Sequence, residues 1–392
     1  MGLLETMLGR VARFQKRFTL PILIFVIFIT IILGIGIKDI SLQTDITKEM
    51  PQDLPIFQLN DKIADTFGGQ DTIIILFQLD DSLDIRTGID DMRHPYVIQS
   101  LMQIENLLNE ESSIDGITSV TNYFKGKVFR TLDDSIAILD SEPASSMFFS
   151  KDYKSTLMYV TADVGSSEIK IAKLAKLIKE NLDASPSIPG VKVSLTGTPP
   201  MRATISYLLA HDASFTLMVA ALIILLLLFV MEKSFTKGFL IFIPLMIGLI
   251  WTMGTMGWLN IPLSIATVGL GAMILGLGVE YGVFMLTRYK EEREKGNNQQ
   301  KSLLVAVPSV GGAIFGSGLT TIIGFLALTL SILPMMQKLG ITLALGIAFT
   351  LISAVFVAPV LIILEENFEY WYTQHKHAKL SAKKEKHKKV LR

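Results

Sequence analysis

The sequence predicts an α-helical polytopic membrane protein: six transmembrane helices, one before and five after a large extracytoplasmic α+β domain. Three observations carry this. Half of the 392 residues are hydrophobic. Six apolar segments reach the roughly 20 residues that a helix rising about 1.5 Å per residue needs to cross a hydrocarbon core about 30 Å thick. The long segment between the first and second of them instead alternates strand-like and helix-like patterns.

In chain order, residues 1–17 come first, and "GLLETMLGRVARFQKRF" sets Leu4, Leu8, Val11 and Phe14 along one helical face, continued by Phe18, with basic residues opposite. That pattern predicts an amphipathic helix in the membrane interface. The first span follows over 18–37; it is longer than a signal-peptide core and lacks a small-x-small cleavage site, so it reads as an uncleaved anchor. Five more spans are expected over 213–231, 238–258, 262–286, 307–330 and 339–364, and a lysine-rich tail closes the chain over 365–392.

Orientation follows from Lys and Arg beside the spans, which stay cytoplasmic. Arg10, Arg13, Lys16 and Arg17 precede span one, Lys233 and Lys237 follow span two, and Arg288, Lys290, Arg293, Lys295 and Lys301 follow span four. The turns at Asn260 and from Ser331 to Gln337 carry no basic residue. Both termini are therefore expected in the cytoplasm of a cell-membrane protein, with 38–212 outside. Trp258 falls at the expected outer interface and Phe368, Tyr370, Trp371 and Tyr372 at the inner one, as aromatic belts do; Trp251 lies deeper, outside that pattern.

Within 38–212, "DTIIILFQL" (Asp71 to Leu79), "HPYVIQSLMQIENLLNEE" (His94 to Glu111) and "GITSVTN" (Gly116 to Asn122) read as strand, helix and strand. The order returns in "STLMYVTADV" (Ser155 to Val164), "SEIKIAKLAKLIKENL" (Ser167 to Leu182) and "VKVSLTG" (Val191 to Gly197). Two β-α-β units predict a ferredoxin-like sandwich. Between them, Tyr123 to Lys154 is irregular; a lid, a substrate-contacting insertion and a plain linker are all open for it. With no cysteine in the chain, the domain has to fold on packing alone.

One carboxylate stands apart. Glu280, in "GLGVEYGVFMLTRYKEERE" (Gly276 to Glu294), is the single Asp, Glu, Lys, Arg or His inside any expected span. A charge there costs on the order of 3 kcal/mol or more, which makes such residues functional candidates. Helical phase puts Glu280 on one face with Gly269, Met273, Gly276 and Phe284, and Gly271, Gly278 and Gly282 on the other. Glycines on both faces predict close neighbours all round, so Glu280 is expected to face protein or a wet cavity. In span five, Ser309, Ala313, Gly316, Thr320 and Ala327 form a small or hydroxyl stripe, with Ser317, Thr320 and Thr321 as a possible relay. A dehydrated Glu280 holds its proton and hydration releases it, the behaviour of a protonation switch.

These residues resemble the resistance-nodulation-division (RND) superfamily, in particular its MMPL-type exporters of lipids and hydrophobic compounds. The likeness is carried by Gly276 to Glu294, by "AIFGSGLTTIIGFLAL" (Ala313 to Leu328), by "SLQTDITKEMPQDLP" (Ser41 to Pro55) and by "FGGQDTIIILF" (Phe67 to Phe77). It implies that Glu280 and Tyr281 form the acid-tyrosine pair that couples proton binding to export. Two departures stand out: the acid is Glu where Asp is usual, which leaves sodium as an alternative ion, and no membrane lysine pairs with it. Relatives carry two six-span repeats and this chain one, which implies a homodimer whose true twofold replaces the internal one.

The expected function is thus proton-motive-force-driven transport of lipids or other hydrophobic molecules, with membrane lipids, protons and a second copy as partners and no cofactor. A sterol-sensing-like receptor or scaffold that binds lipid without pumping, or an accessory factor of protein translocation, would use the same membrane fold. Enzyme chemistry finds no support. His94 and His211 are isolated, His375, His377 and His387 lie in the tail, and no phosphate loop, nucleophile elbow or metal-ligand spacing is present. The acidic excess of 38–212 gives no reason to expect nucleic acid.

Overall fold

A computed structural model describes residues 3–67, 71–80, 89–162, 168–185 and 187–372. It separates into two compact units, residues 43–208 and residues 1–42 with 209–392.

The first unit is an α+β sandwich. Its strands are β1 (Asp71–Leu79), β2 (Gly116–Ser119), β3 (Ser155–Ala162) and β4 (Val191–Gly197), and helices α1 (Pro95–Asn109) and α2 (Glu168–Ala184) follow β1 and β3. The sheet order is β2-β3-β1-β4 with every neighbouring pair antiparallel. Each β-α-β unit is thereby split by a strand of the other, which is the ferredoxin-like arrangement. Alternation on β1 sends Ile73, Ile75 and Phe77 inward, and β3 sends Met158 and Val160 to meet them. Ile98, Leu101 and Leu108 of α1 and Ile171 and Ile178 of α2 cover this layer.

Two expectations change here. The second strand-like stretch ends at Ser119 rather than Asn122, because the Ser119 hydroxyl accepts the Thr121 N–H at 3.2 Å and turns the chain into a short helical turn, Val120–Tyr123. The irregular segment 123–154 is a folded part of the domain. Phe124, Phe129, Leu139 and Phe148 from it are buried in the common core, and a short helix, Leu132–Asp140, opens on a reciprocal Thr131–Asp134 capping box. Residues 68–70 of the Phe67–Phe77 motif, 163–164 of the third strand and Ser167 lie outside the described residues.

Among the described residues six helices are long and apolar enough to cross a membrane: Thr19–Asp39, Thr198–Glu232, Phe235–Trp258, Leu270–Glu294, Gln299–Leu330 and Pro334–Tyr372, called spans one to six; all but residues 198–208 of span two belong to the second unit. Span two is one unbroken helix from Thr198, where hydropathy marks only its apolar part from Ala213. Span four begins at Leu270 rather than near Pro262, since the chain first turns at Ser264, whose N–H is accepted by Thr267 Oγ1 at 2.8 Å. Span five starts earlier, at Gln299, because Asn298 caps it by accepting the Lys301 N–H at 2.9 Å. Spans one and three approach closely: a Cβ on Gly254 or Gly257 would strike the backbone at Leu33 or Gly36. There Trp251 finds its place, donating from Nε1 to Thr30 Oγ1 at 2.9 Å.

The N-terminal helix, Leu3–Arg17, packs with Leu8 against Gly311 of span five and buries Ala12 and Gln15, while Met7 and Phe14 stay exposed. The side chain of Leu4 and the tail residues 373–392, with His375, His377 and His387, lie outside the described residues.

Candidate functional site

Span four meets its own chain on one side only. A Cβ on Gly271 would stand 3.0 Å from Leu217 of span two, on Gly278 2.9 Å from Leu245 of span three and 3.1 Å from Thr350 of span six, and on Gly282 2.8 Å from Ile241 of span three. These glycines let four helices crowd together, as small residues do between membrane helices. Tyr281 belongs to the same inner side and is only 1% exposed. Its hydroxyl lies 3.5 Å from where a Cβ on Gly318 of span five would be.

Glu280, one position earlier, turns about 100° away around the helix and is exposed. Its Oε1 accepts from Ser317 Oγ of span five at 3.4 Å, a long bond. The Ser317 carbonyl in turn accepts from Thr320 Oγ1 at 2.7 Å and Thr321 Oγ1 at 3.0 Å. Glu280, Ser317, Thr320 and Thr321 therefore form one hydrogen-bonded cluster where spans four and five meet, with Tyr281 on the buried face beside it. Among the described residues no hydrogen bond joins Glu280 to Tyr281 or Thr320.

The expectation that close neighbours surround span four fails on the Glu280 side. Gly276 and Gly316 face open space, with nothing within 4 Å of an added Cβ, as do Gly312 and Gly324. Gly269 caps the helix and a Cβ there would meet only Met273, at 3.3 Å. Among the described residues of one chain the carboxyl thus has a single weak donor on one flank and an uncovered surface on the other. The period of the helix correctly divided the two faces, but only the contacts with spans two, three and six show which of them the chain itself fills.

The basic end of span four carries side chains that sequence reasoning took as orientation signals alone. Lys290 pairs with Glu232 of span two, and Tyr289 and Arg293 both bind Glu366 of span six. Glu292, 4% exposed, is held by Lys295 at 2.7 Å, Asn297 at 2.9 Å and Arg288 at 3.2 Å. The signal that could have revealed this network was the acids Glu232 and Glu366 at the ends of neighbouring spans. It ties spans two, four and six together at the end beyond Glu280.

Residues 55–386 match the model of the MMPL family. The membrane protein MJ1562 of Methanocaldococcus jannaschii is 36% identical over 374 residues, covering 93% of this chain and 95% of that one. The siderophore exporter MmpL5 of Mycobacterium tuberculosis is 25% identical over 226 residues, 56% of this chain but 23% of its own length. Among solved structures, the hedgehog release protein Disp of the water bear Hypsibius dujardini superposes with a TM-score of 0.61 at 12% identity, covering 91% of this chain and 49% of that one. The chain thus spans about half of Disp and about a quarter of MmpL5.

Proposed function

The chain belongs to the MMPL family of the RND superfamily, and from that premise we propose that it is a secondary transporter. It moves lipids or other hydrophobic molecules across or out of the cell membrane, driven by the proton-motive force, and works as a homodimer. The observation that carries this reading is Glu280: the one Asp, Glu, Lys, Arg or His within the apolar segments that the sequence marks lies on an open face of small residues, beside the span-five hydroxyls and next to the buried Tyr281.

In the proposed mechanism the second copy covers that face, and the two Glu280 carboxyls approach across the twofold axis as a coupled pair. An ionised Glu280 accepts from Ser317; protonated, it loses its charge and gains a proton to donate. That change alters how spans four and five pack. The glycine contacts of span four pass the shift to spans three and six, and the unbroken span-two helix carries movement toward the α+β domain. A proton entering through about 100 mV supplies roughly 2.3 kcal/mol, before any pH gradient is added. In the proposed orientation both termini and the basic end of span four are cytoplasmic, following the positive-inside rule. Support for the dimer comes from the open face of Gly276 and Gly316 beside Glu280, where nothing in the chain lies within 4 Å of an added Cβ.

The test uses the purified chain in proteoliposomes with an imposed pH gradient, following proton entry together with movement of a fluorescent lipid. Glu280→Gln, which keeps shape but cannot ionise, is expected to abolish both signals while folding and dimerisation persist. Unchanged gradient-driven transport by the variant would reject Glu280 as the coupling group. Lipid binding by the wild type without any proton flux would favour the receptor reading instead.

A further inference from the structure

Span six contains Pro359, and the helix is interrupted at Val357 just before it. A proline has no N–H, so the carbonyl four residues earlier, that of Val355, has no donor within its own helix. A buried, unpaired carbonyl is costly. The donor comes from far away in sequence: Gln15 of the N-terminal helix, 1% exposed, places Nε2 2.8 Å from Val355 O and 3.4 Å from Phe356 O. Both groups facing the amide nitrogen are carbonyl oxygens, which fixes the orientation of the side chain. Among the described residues its own Oε1 is buried without a hydrogen-bond partner. A polar side chain retained at that cost is held there for its donor.

The segment of span six beyond the break carries Glu366, the partner of Tyr289 and Arg293 on span four. The N-terminal helix also reaches this segment indirectly, since Lys16 donates to Gln299 Oε1 at 2.7 Å and Gln299 Nε2 donates to Ile363 O at 3.4 Å. We propose that Gln15 is a positioning residue: its amide replaces the hydrogen bond that Pro359 removes from span six and clamps the break between Val355 and Pro359. The N-terminal helix thereby sets how the last part of span six presents Glu366 to the helix that bears Glu280. This inference concerns no particular ion or cargo and stands apart from the proposed transport cycle.

A double-mutant cycle on the full chain tests it, with thermal unfolding and amide hydrogen exchange as readouts. Gln15→Leu, similar in size but without a donor, is expected to lower the unfolding midpoint. It should also speed exchange over residues 360–366 about tenfold, the equivalent of one lost hydrogen bond, with a smaller rise over 289–294. In a Pro359→Ala background, where the backbone N–H is restored to Val355, the same substitution is expected to change exchange by less than about threefold. Equal effects in the two backgrounds, or no effect in either, would overturn the proposal. Should Gln15→Leu alone fail to fold, adding Pro359→Ala is expected to restore folded protein, and failure of that rescue would equally overturn it.

Discussion

Two parts of the membrane unit are about equally exposed and chemically unlike. Spans one and two show bulky side chains, such as Ile24, Phe28 and Ile31 on the first and Phe215, Leu222 and Leu226 on the second. The face shared by spans four and five also has large residues, among them Phe284 and Ile323, but its middle is made of Gly276, Gly316, Ser317, Thr320 and Gly324 around Glu280. Acyl chains pack well against the first kind of surface. Against the second they leave gaps and a poorly satisfied carboxyl, whereas a second helix can approach glycines closely and enclose the acid. On the proposed reading, exposure in a single chain therefore has two meanings, a surface that suits lipid and a surface that suits a second helix.

Filling the open face should break that distinction most visibly. Gly316→Ile, where no neighbour opposes the new side chain within the chain, is expected to leave the monomer folded yet weaken dimerisation at least about tenfold, about 1.4 kcal/mol, and to halt transport. Leu222→Ala on span two should do neither; light scattering in detergent and the liposome assay read both. On the opposite face the same kind of insertion should harm the monomer itself. Gly278→Val meets Leu245 and Thr350 and is expected to cost about 1–3 kcal/mol of stability as overpacking, seen as a lower unfolding midpoint at every protein concentration. The smallest effect is expected from Ser317→Ala, which removes only a 3.4 Å contact to Glu280. It should retain gradient-driven transport at a rate within about threefold of wild type.

Much of this was legible from local pattern. β1 and β4 fall where alternation placed them, over Asp71–Leu79 and Val191–Gly197, since a half-buried strand advertises its inner face every second residue. The rotation of Glu280 away from Gly278 and Gly282 was legible for the same reason, because helical period is a local property. Contacts made across the chain were not. Segment 123–154 shows no period, and only its burial of Phe124 and Phe148 makes it part of the core. Gln15 reads as one polar residue on an amphipathic helix, and its acceptor lies 340 residues away. Glycines on both faces of span four predict an enclosed Glu280, yet spacing cannot say whether the neighbour belongs to the same molecule.

The account rests on the face around Glu280 being closed by a second copy of the chain, and one measurement addresses that directly. The protein has no cysteine, so a single substitution supplies its sole thiol, and a disulfide forms only when two Cα atoms come within about 7 Å. Oxidation in native membranes of Gly276→Cys, Gly316→Cys and Thr320→Cys variants, compared with Phe215→Cys and Leu222→Cys on span two, is predicted to give dimers for the first group alone. Cross-linking confined to the span-two positions, or absent throughout the first group, would contradict the claim.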